Sequence, residues 1–229
     1  MNRAPFCMNS SNLLKRIVLA AAALTFAMGA HAGPTVFNEP APPGTVTGDS
    51  LLTALNAGSA SSGLVINGNL LDGRSGQTPN ASDLYKFSVG YAGRYHFTSV
   101  GSLVSDLQLF LFDSTGLGLF FSNLTGGSIT QGSFTIDNLG IGDYYIGVSF
   151  FGVDPLDASP NGIFDTLLAT QGSGMGGALH SWINASALNQ PGDQWDITGY
   201  SVRISVPEPG ALSLALLALL LMGAARRRA

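Results

Sequence analysis

The middle of the chain alternates apolar and polar positions with a period of two. In residues 83–89, Asp83, Tyr85, Phe87 and Val89 fall on one side and Leu84, Lys86 and Ser88 on the other. In residues 94–100, Tyr95, Phe97 and Ser99 share a side. A strand sends successive side chains to opposite faces, so this period predicts half-buried strands. The glycine-bounded stretch 90–93 between them predicts a hairpin. Residues 106–113 differ: Leu107, Leu109 and Leu111 oppose Gln108, Phe110 and Phe112, so both sides are largely apolar. That pattern predicts a central strand covered on both faces, or one lying against a further segment. Ser114-Thr115-Gly116 turns the chain into a partner strand at 117–122. Residues 133–139 and 143–151 form the next predicted pair, around Gly140-Ile141-Gly142.

The flanks extend this pattern less regularly. Residues 64–71 read as a strand interrupted by Gly68, preceded by a small-residue loop at 57–63. Leu51, Leu52 and Leu55 fit either a helical turn or a first strand. Pro34, Pro40, Pro42 and Pro43 make residues 33–44 an extended lead-in. The final strand is expected at 195–206, with Tyr200, Val202 and Ile204 alternating against Ile197, Gly199, Ser201 and Arg203. Residues 151–192 leave the strand rhythm. They predict a loop-rich insertion, with Trp182 as its apolar anchor and its loops as a candidate binding region. Short strands without a long amphipathic helix predict an all-β body at 45–205, an antiparallel β-sandwich of jelly-roll-like character.

Two apolar runs lie outside this body. Arg3, Lys15 and Arg16 precede an apolar stretch from Ile17 to Met28, and Ala30-His31-Ala32 supplies a small-x-small cleavage pattern. These parts predict a signal peptide over 1–32, cut before Gly33. A dozen apolar residues fall short of the roughly 20 needed to span a bilayer. At the other end, Pro207-Glu208-Pro209 is followed by an apolar run at 210–225 and by Arg226-Arg227-Arg228. As a transmembrane helix that run would be about 24 Å long. The arginines would hold the C-terminus in the cytoplasm and the body in the periplasm.

This ending resembles the PEP-CTERM sorting signal of Gram-negative bacteria, in which the motif, one apolar helix and a basic tail direct an exported protein to an exosortase-type processing enzyme. The resemblance implies a sorting signal at 206–229, with Glu208 recognised by that enzyme. It further implies a precursor held transiently in the inner membrane and a product at the cell surface or outside the cell, associated with exopolysaccharide and biofilm. A second resemblance lies in the body. The order Asp83-x-Tyr85-x-Phe87, Gly93-x-Tyr95-x-Phe97, Asp106-Leu107-x-Leu109-x-Leu111-Phe112-Asp113 and Gly142-Asp143-Tyr144-Tyr145-Ile146-Gly147-Val148 is similar to the bacterial pre-peptidase C-terminal (PPC) domain over about Thr45 to Phe151. It implies a secreted accessory module and brings no catalytic residues.

Charge and composition narrow the chemistry. Of 229 residues the only cysteine is Cys7, ahead of the first apolar run, so the exported part has neither a disulfide nor a thiol nucleophile. Between Gly33 and Ser205, four bases face thirteen acids, a net charge of −9 that argues against nucleic-acid binding. The histidines are His31, His96 and His180, with no pair at zinc-ligand spacing. Gly172-Ser173-Gly174 lacks the strand-to-helix frame of a nucleophile elbow. No catalytic residue or organic cofactor is therefore expected. The alternative is a secreted hydrolase, or its accessory module, with a site in the 151–192 loops, and it requires His180 to meet a serine and an aspartate. The candidate ion is calcium, with hard oxygen ligands from Asp154, Asp157, Asn161 and Asp165. Polysaccharide is the candidate ligand.

Overall fold

The computed structural model describes residues 33–40, 48–70, 80–101, 107–122, 132–165, 170–183 and 198–206. The predicted signal peptide, the Pro-Glu-Pro motif, the 210–225 run and the terminal arginines lie outside the described residues. Gly33–Pro207 forms one compact unit. Among the described residues there is no helix, and so none long and apolar enough to cross a membrane.

Strands form in the stretches with the two-residue rhythm, and also outside them in the lead-in, the expected 57–63 loop and the 151–192 insertion. They are β1 (Thr35–Asn38), β2 (Leu55–Ser59), β3 (Leu64–Leu70), β4 (Ser82–Val89), β5 (Gly93–Gly101), β6 (Leu107–Asp113), β7 (Gly118–Ser122), β8 (Ser133–Leu139) and β9 (Gly142–Phe150). The short β10 (Pro155–Leu156), β11 (Thr170–Gly172) and β12 (Ser181–Trp182) follow, and β13 (Thr198–Ser205) closes the body. One sheet has the order β1-β3-β13-β5-β8 and the other β11-β7-β6-β9-β4-β2, while β10 pairs with β12.

The two large sheets share one core. Leu64, Ile66, Tyr95, Phe97, Val202 and Ile204 from the first pack with Tyr85, Phe87, Leu109, Leu111, Ile146 and Val148 from the second. Rings bridge the layers: Phe87 meets Phe97 at 6.1 Å, and Phe120 stacks on Phe134 at 4.7 Å. The expected sandwich is present, but its sheets are mixed. β1 runs parallel to β3 and β2 parallel to β4, while the remaining pairs are antiparallel. The proline-bearing lead-in thus contributes an edge strand. The expected loop at 57–63 is strand as far as Ser59, with a bulge between Asn56 and Gly58.

Two expected hairpins are corrected. β4 pairs with β9 and β2, whereas β5 pairs with β13 and β8. β8 and β9 likewise belong to different sheets. An alternating stripe fixes which face of a strand is buried but not which strand it pairs with. Strands whose apolar stripes face one another across the core bury them as fully as strands lying side by side. The β6–β7 hairpin does form, around Gly116 at φ 89°. Its turn is held by the Asp113 carboxylate, which accepts from the Thr115 and Leu117 N–H groups.

A polar contact joins the sheets inside this core. The Tyr200 hydroxyl lies 2.6 Å from Asp83 Oδ2 and 2.6 Å from the Tyr85 hydroxyl. Asn80 Nδ2 donates to Asp83 Oδ1 at 3.0 Å. Gly68 makes the room, because a Cβ there would fall on both tyrosine hydroxyls. Burial, reinforced by the Glu39 carboxylate, pushes Asp83 up to about 8 against the lowering by Tyr200 and Asn80. A carboxyl whose folded pKa lies above its unfolded value favours folding most below the unfolded value, near 3.8, and loses that contribution as pH rises to about 8. Asp83→Asn keeps an acceptor for Asn80 and offers a donor to Tyr200. The variant should be the more stable protein at pH 9, and the fall in stability between pH 4 and 8 should be shallower. Urea denaturation across that range checks both.

Candidate functional surfaces

Residues 151–165 and 170–183 build a lid over the outer face of the six-stranded sheet. β6 and β7 send Phe110, Phe112 and Phe121 outward, and Leu84 and Tyr145 join them. The chain after β9 returns across these rings with Ile163, Phe164, Leu179 and Trp182. Phe164 lies 5.7 Å from both Phe110 and Phe121, and Trp182 meets Phe110 edge-on at 5.5 Å. Gly147 lets the indole approach, since a Cβ there would come within 2.9 Å of the ring. The Trp182 Nε1–H donates to the Asp49 carbonyl at 2.7 Å. β6 is therefore buried on both faces, and Trp182 anchors the insertion as its apolar character suggested.

Of the loops expected to bind a ligand, the described residues pack onto this face through Ile163, Phe164, Leu179 and Trp182, and residues 166–169 and 184–192 lie outside the described residues. Asp157 shows how the turn is fixed. Its Oδ1 accepts from Ser159 N at 2.8 Å and Asn161 N at 2.9 Å, and its Oδ2 accepts from Gly177 N at 3.1 Å. These backbone donors hold the carboxyl below the usual carboxylate range. Its oxygens face N–H groups, the arrangement of a turn cap. Of the other calcium candidates, Asp154 and Asp165 are half-buried and Asn161 is exposed. Among the described residues no group of three or more His, Cys, Asp or Glu is placed to hold a metal ion.

Of the histidines, His96 and His180 are described and belong to different parts of the fold, β5 and the lid. His180 is exposed, and its backbone N–H donates to the Leu156 carbonyl at 2.9 Å. Among the described residues no serine or aspartate hydrogen-bonds its ring. His96 projects from the outer face of β5, where its Nδ1 lies 2.9 Å from Thr135 Oγ1. Ser205 Oγ donates to the His96 backbone carbonyl at 3.4 Å.

Among the described residues, the outer face of the five-stranded sheet is the open one. Arg94, His96 and Arg203 are exposed there, and Thr98, Thr135 and Ser201 are half-buried. Arg94, His96, Thr135, Ser205 and Val206 line a groove of about 340 Å³. Arg94 pairs with Asp137 at 3.0 Å. Alternation had placed Arg94, His96 and Thr98 opposite Tyr95 and Phe97, and Ser201 and Arg203 opposite Tyr200, Val202 and Ile204. Only the strand order brings β8, β5 and β13 together to make one surface of them. The Asp83–Tyr200 contact was similarly out of reach, although a carboxylate within an aromatic stripe was a visible signal.

β13 leads directly to the C-terminal segment. Ser205 closes the strand, and Val206 packs against the core. Residues 205–229 match the PEP-CTERM protein-sorting motif, so the motif begins within the folded body. A PEP-CTERM motif implies an exported protein, held transiently at a membrane and recognised by an exosortase.

Among solved structures, the body is similar to the pre-peptidase C-terminal domain of a collagenase from Bacillus anthracis. The identity is 12%, covering 73% of this chain and 100% of that one, with a TM-score of 0.38. A periplasmic inhibitor of g-type lysozyme, PliG from Aeromonas hydrophila, is 10% identical over 76% of this chain and 98% of its own, with a TM-score of 0.28. A β-glucosidase from Paenibacillus barengoltzii is 12% identical over 74% of this chain and 13% of its own, with a TM-score of 0.24. No curated protein matches the chain. The architecture rests on the strand pairing above rather than on these likenesses.

Removing the anchor of the lid should expose it. Trp182→Ala should cost about 3–5 kcal/mol in chemical denaturation. It should also open residues 151–183 to limited proteolysis before the sheets are cut.

Proposed function

We propose that the chain is the precursor of an exported, non-enzymatic surface or matrix protein that acts by binding, with exopolysaccharide as its partner. The observation that carries this reading is the sorting motif at 205–229, which leads off the last strand of a β-sandwich. The precursor waits in the inner membrane with its body in the periplasm. An exosortase-type enzyme recognises Pro207-Glu208-Pro209 and releases the body to the cell surface or beyond.

The contact surface is the open face of the five-stranded sheet. Sugar hydroxyls match the hydroxyls of Thr98, Thr135 and Ser201, and acidic sugars match Arg94 and Arg203. The covered face of the other sheet offers no comparable surface, because its aromatic rings are already buried under the lid. No cofactor is invoked.

Replacing Pro207, Glu208 and Pro209 together by alanine should leave a full-length precursor in the membrane fraction, as seen by immunoblot against the parent chain. Normal maturation of that variant would sink the sorting reading. Purified mature protein should co-sediment with the producing cell's exopolysaccharide and leave its chain length unchanged. Depolymerisation would instead establish a hydrolase.

A further inference from the structure

The sandwich has two unlike ends. At one, every connection between strands is short: residues 60–63 join β2 to β3, 90–92 join β4 to β5, 114–117 join β6 to β7, and 140–141 join β8 to β9. The pairs Val89↔Gly142, Gly93↔Leu139 and Asp113↔Tyr144 set the last three of these turns side by side. At the other end the connections run longer, over residues 71–81, 102–106 and 123–132.

Both termini of the body leave from the short-turn end. Thr35 pairs with Leu64 at the start of β3, and Leu64 pairs with Ile204 near the end of β13. Ser205 pairs with His96, just past the 90–92 turn. In the sequence each terminus leads into an apolar run, Ile17 to Met28 upstream and 210–225 downstream. From Val206 to Gly210 the chain can reach at most about 14 Å.

The same end exposes apolar side chains. Tyr91 is 42% exposed, Leu117 45% and Ile141 71%, each in one of the neighbouring turns. Lys86 and Arg94 lie close by on β4 and β5, paired with Asp143 and Asp137. Tyrosine favours the membrane–water interface, where its ring is in an apolar layer and its hydroxyl is wet.

We propose that this end of the body rests on the bilayer surface in the membrane-held precursor, with Tyr91, Leu117 and Ile141 in the interfacial layer. The proposal rests on the transient anchoring read above. Three side chains at loop tips adhere weakly by themselves. A short tether, however, holds them at an effective concentration in the millimolar range, so the contact is populated while the tail is attached. Cutting the tail removes the tether, and the body leaves the surface. The arrangement also fixes the body upright, with its open sheet face at a steep angle to the membrane.

The test uses the full chain carrying Cys7→Ser, so that an introduced cysteine is the sole thiol. A nitroxide is attached at Ile141→Cys or, as the control at the opposite end, at Phe151→Cys; both are exposed positions. The protein is reconstituted into phosphatidylcholine vesicles with a minority of phosphatidylglycerol. Power saturation then compares collisions with oxygen and with a soluble nickel chelate. The label at residue 141 should lose nickel accessibility and gain oxygen accessibility relative to residue 151. Aqueous values at both positions, or depth at 151, overturn the proposal. So does shielding of residue 141 that develops only when the processing enzyme is added, which assigns the surface to that enzyme. Failure of the parent chain to float with vesicles would defeat the anchoring reading together with this one. Flotation with an aqueous label at 141 defeats this one alone.

Discussion

Tyr200 carries the contact that ties the two sheets together. Its hydroxyl stands between Tyr85 and Asp83, reaching from the middle strand of one sheet to the other, in space that Gly68 leaves empty. A carboxyl this deeply buried is costly when ionised, and its raised pKa records that cost. The surrounding hydrogen bonds make the position tenable and give the inter-sheet layer a fixed registration that apolar packing alone would not require. Because consecutive strands cross between the sheets at β4–β5 and β8–β9, this layer holds the topology as well as the core.

The placement of β13 connects that core to the route of the protein. The last strand in sequence is the middle strand of its sheet, between β3 and β5. The five-stranded sheet therefore cannot be completed until residues 198–205 are available. The sorting motif starts at residue 205, so the folded body and the address share a residue boundary with no linker between them. A processing enzyme reaching Pro207-Glu208-Pro209 meets a folded domain immediately beside its target.

The two outer faces have divided the work. One is covered by Ile163, Phe164, Leu179 and Trp182, which complete a second apolar layer around Phe110 and Phe112. The other keeps Arg94, His96 and Arg203 in solvent. Long insertions on a rigid sheet are frequent sites of binding, but here the insertion supplies apolar cover that an outward-facing row of phenylalanines would otherwise lack. Among the described residues, the polar face across the sandwich is the uncovered one.

The alternating stripes were sufficient to place β4 to β9 and to show that β6 is buried on both sides, because side-chain direction in a strand is a local property. The tail was likewise legible as a resemblance to the PEP-CTERM signal, since the Pro-Glu-Pro motif, apolar run and basic end are all consecutive in sequence. Pairing was decided elsewhere. Phe87 and Phe97 would bury equally well in a hairpin or across a core, and the choice fell to the whole set of strands competing for neighbours. For the same reason Asp83, Gly68 and Tyr200, far apart in sequence, became one contact only when β3, β4 and β13 had taken their places. The sequence by itself determined which faces are apolar and where the chain is sent; tertiary structure decided which faces meet and which one is left open.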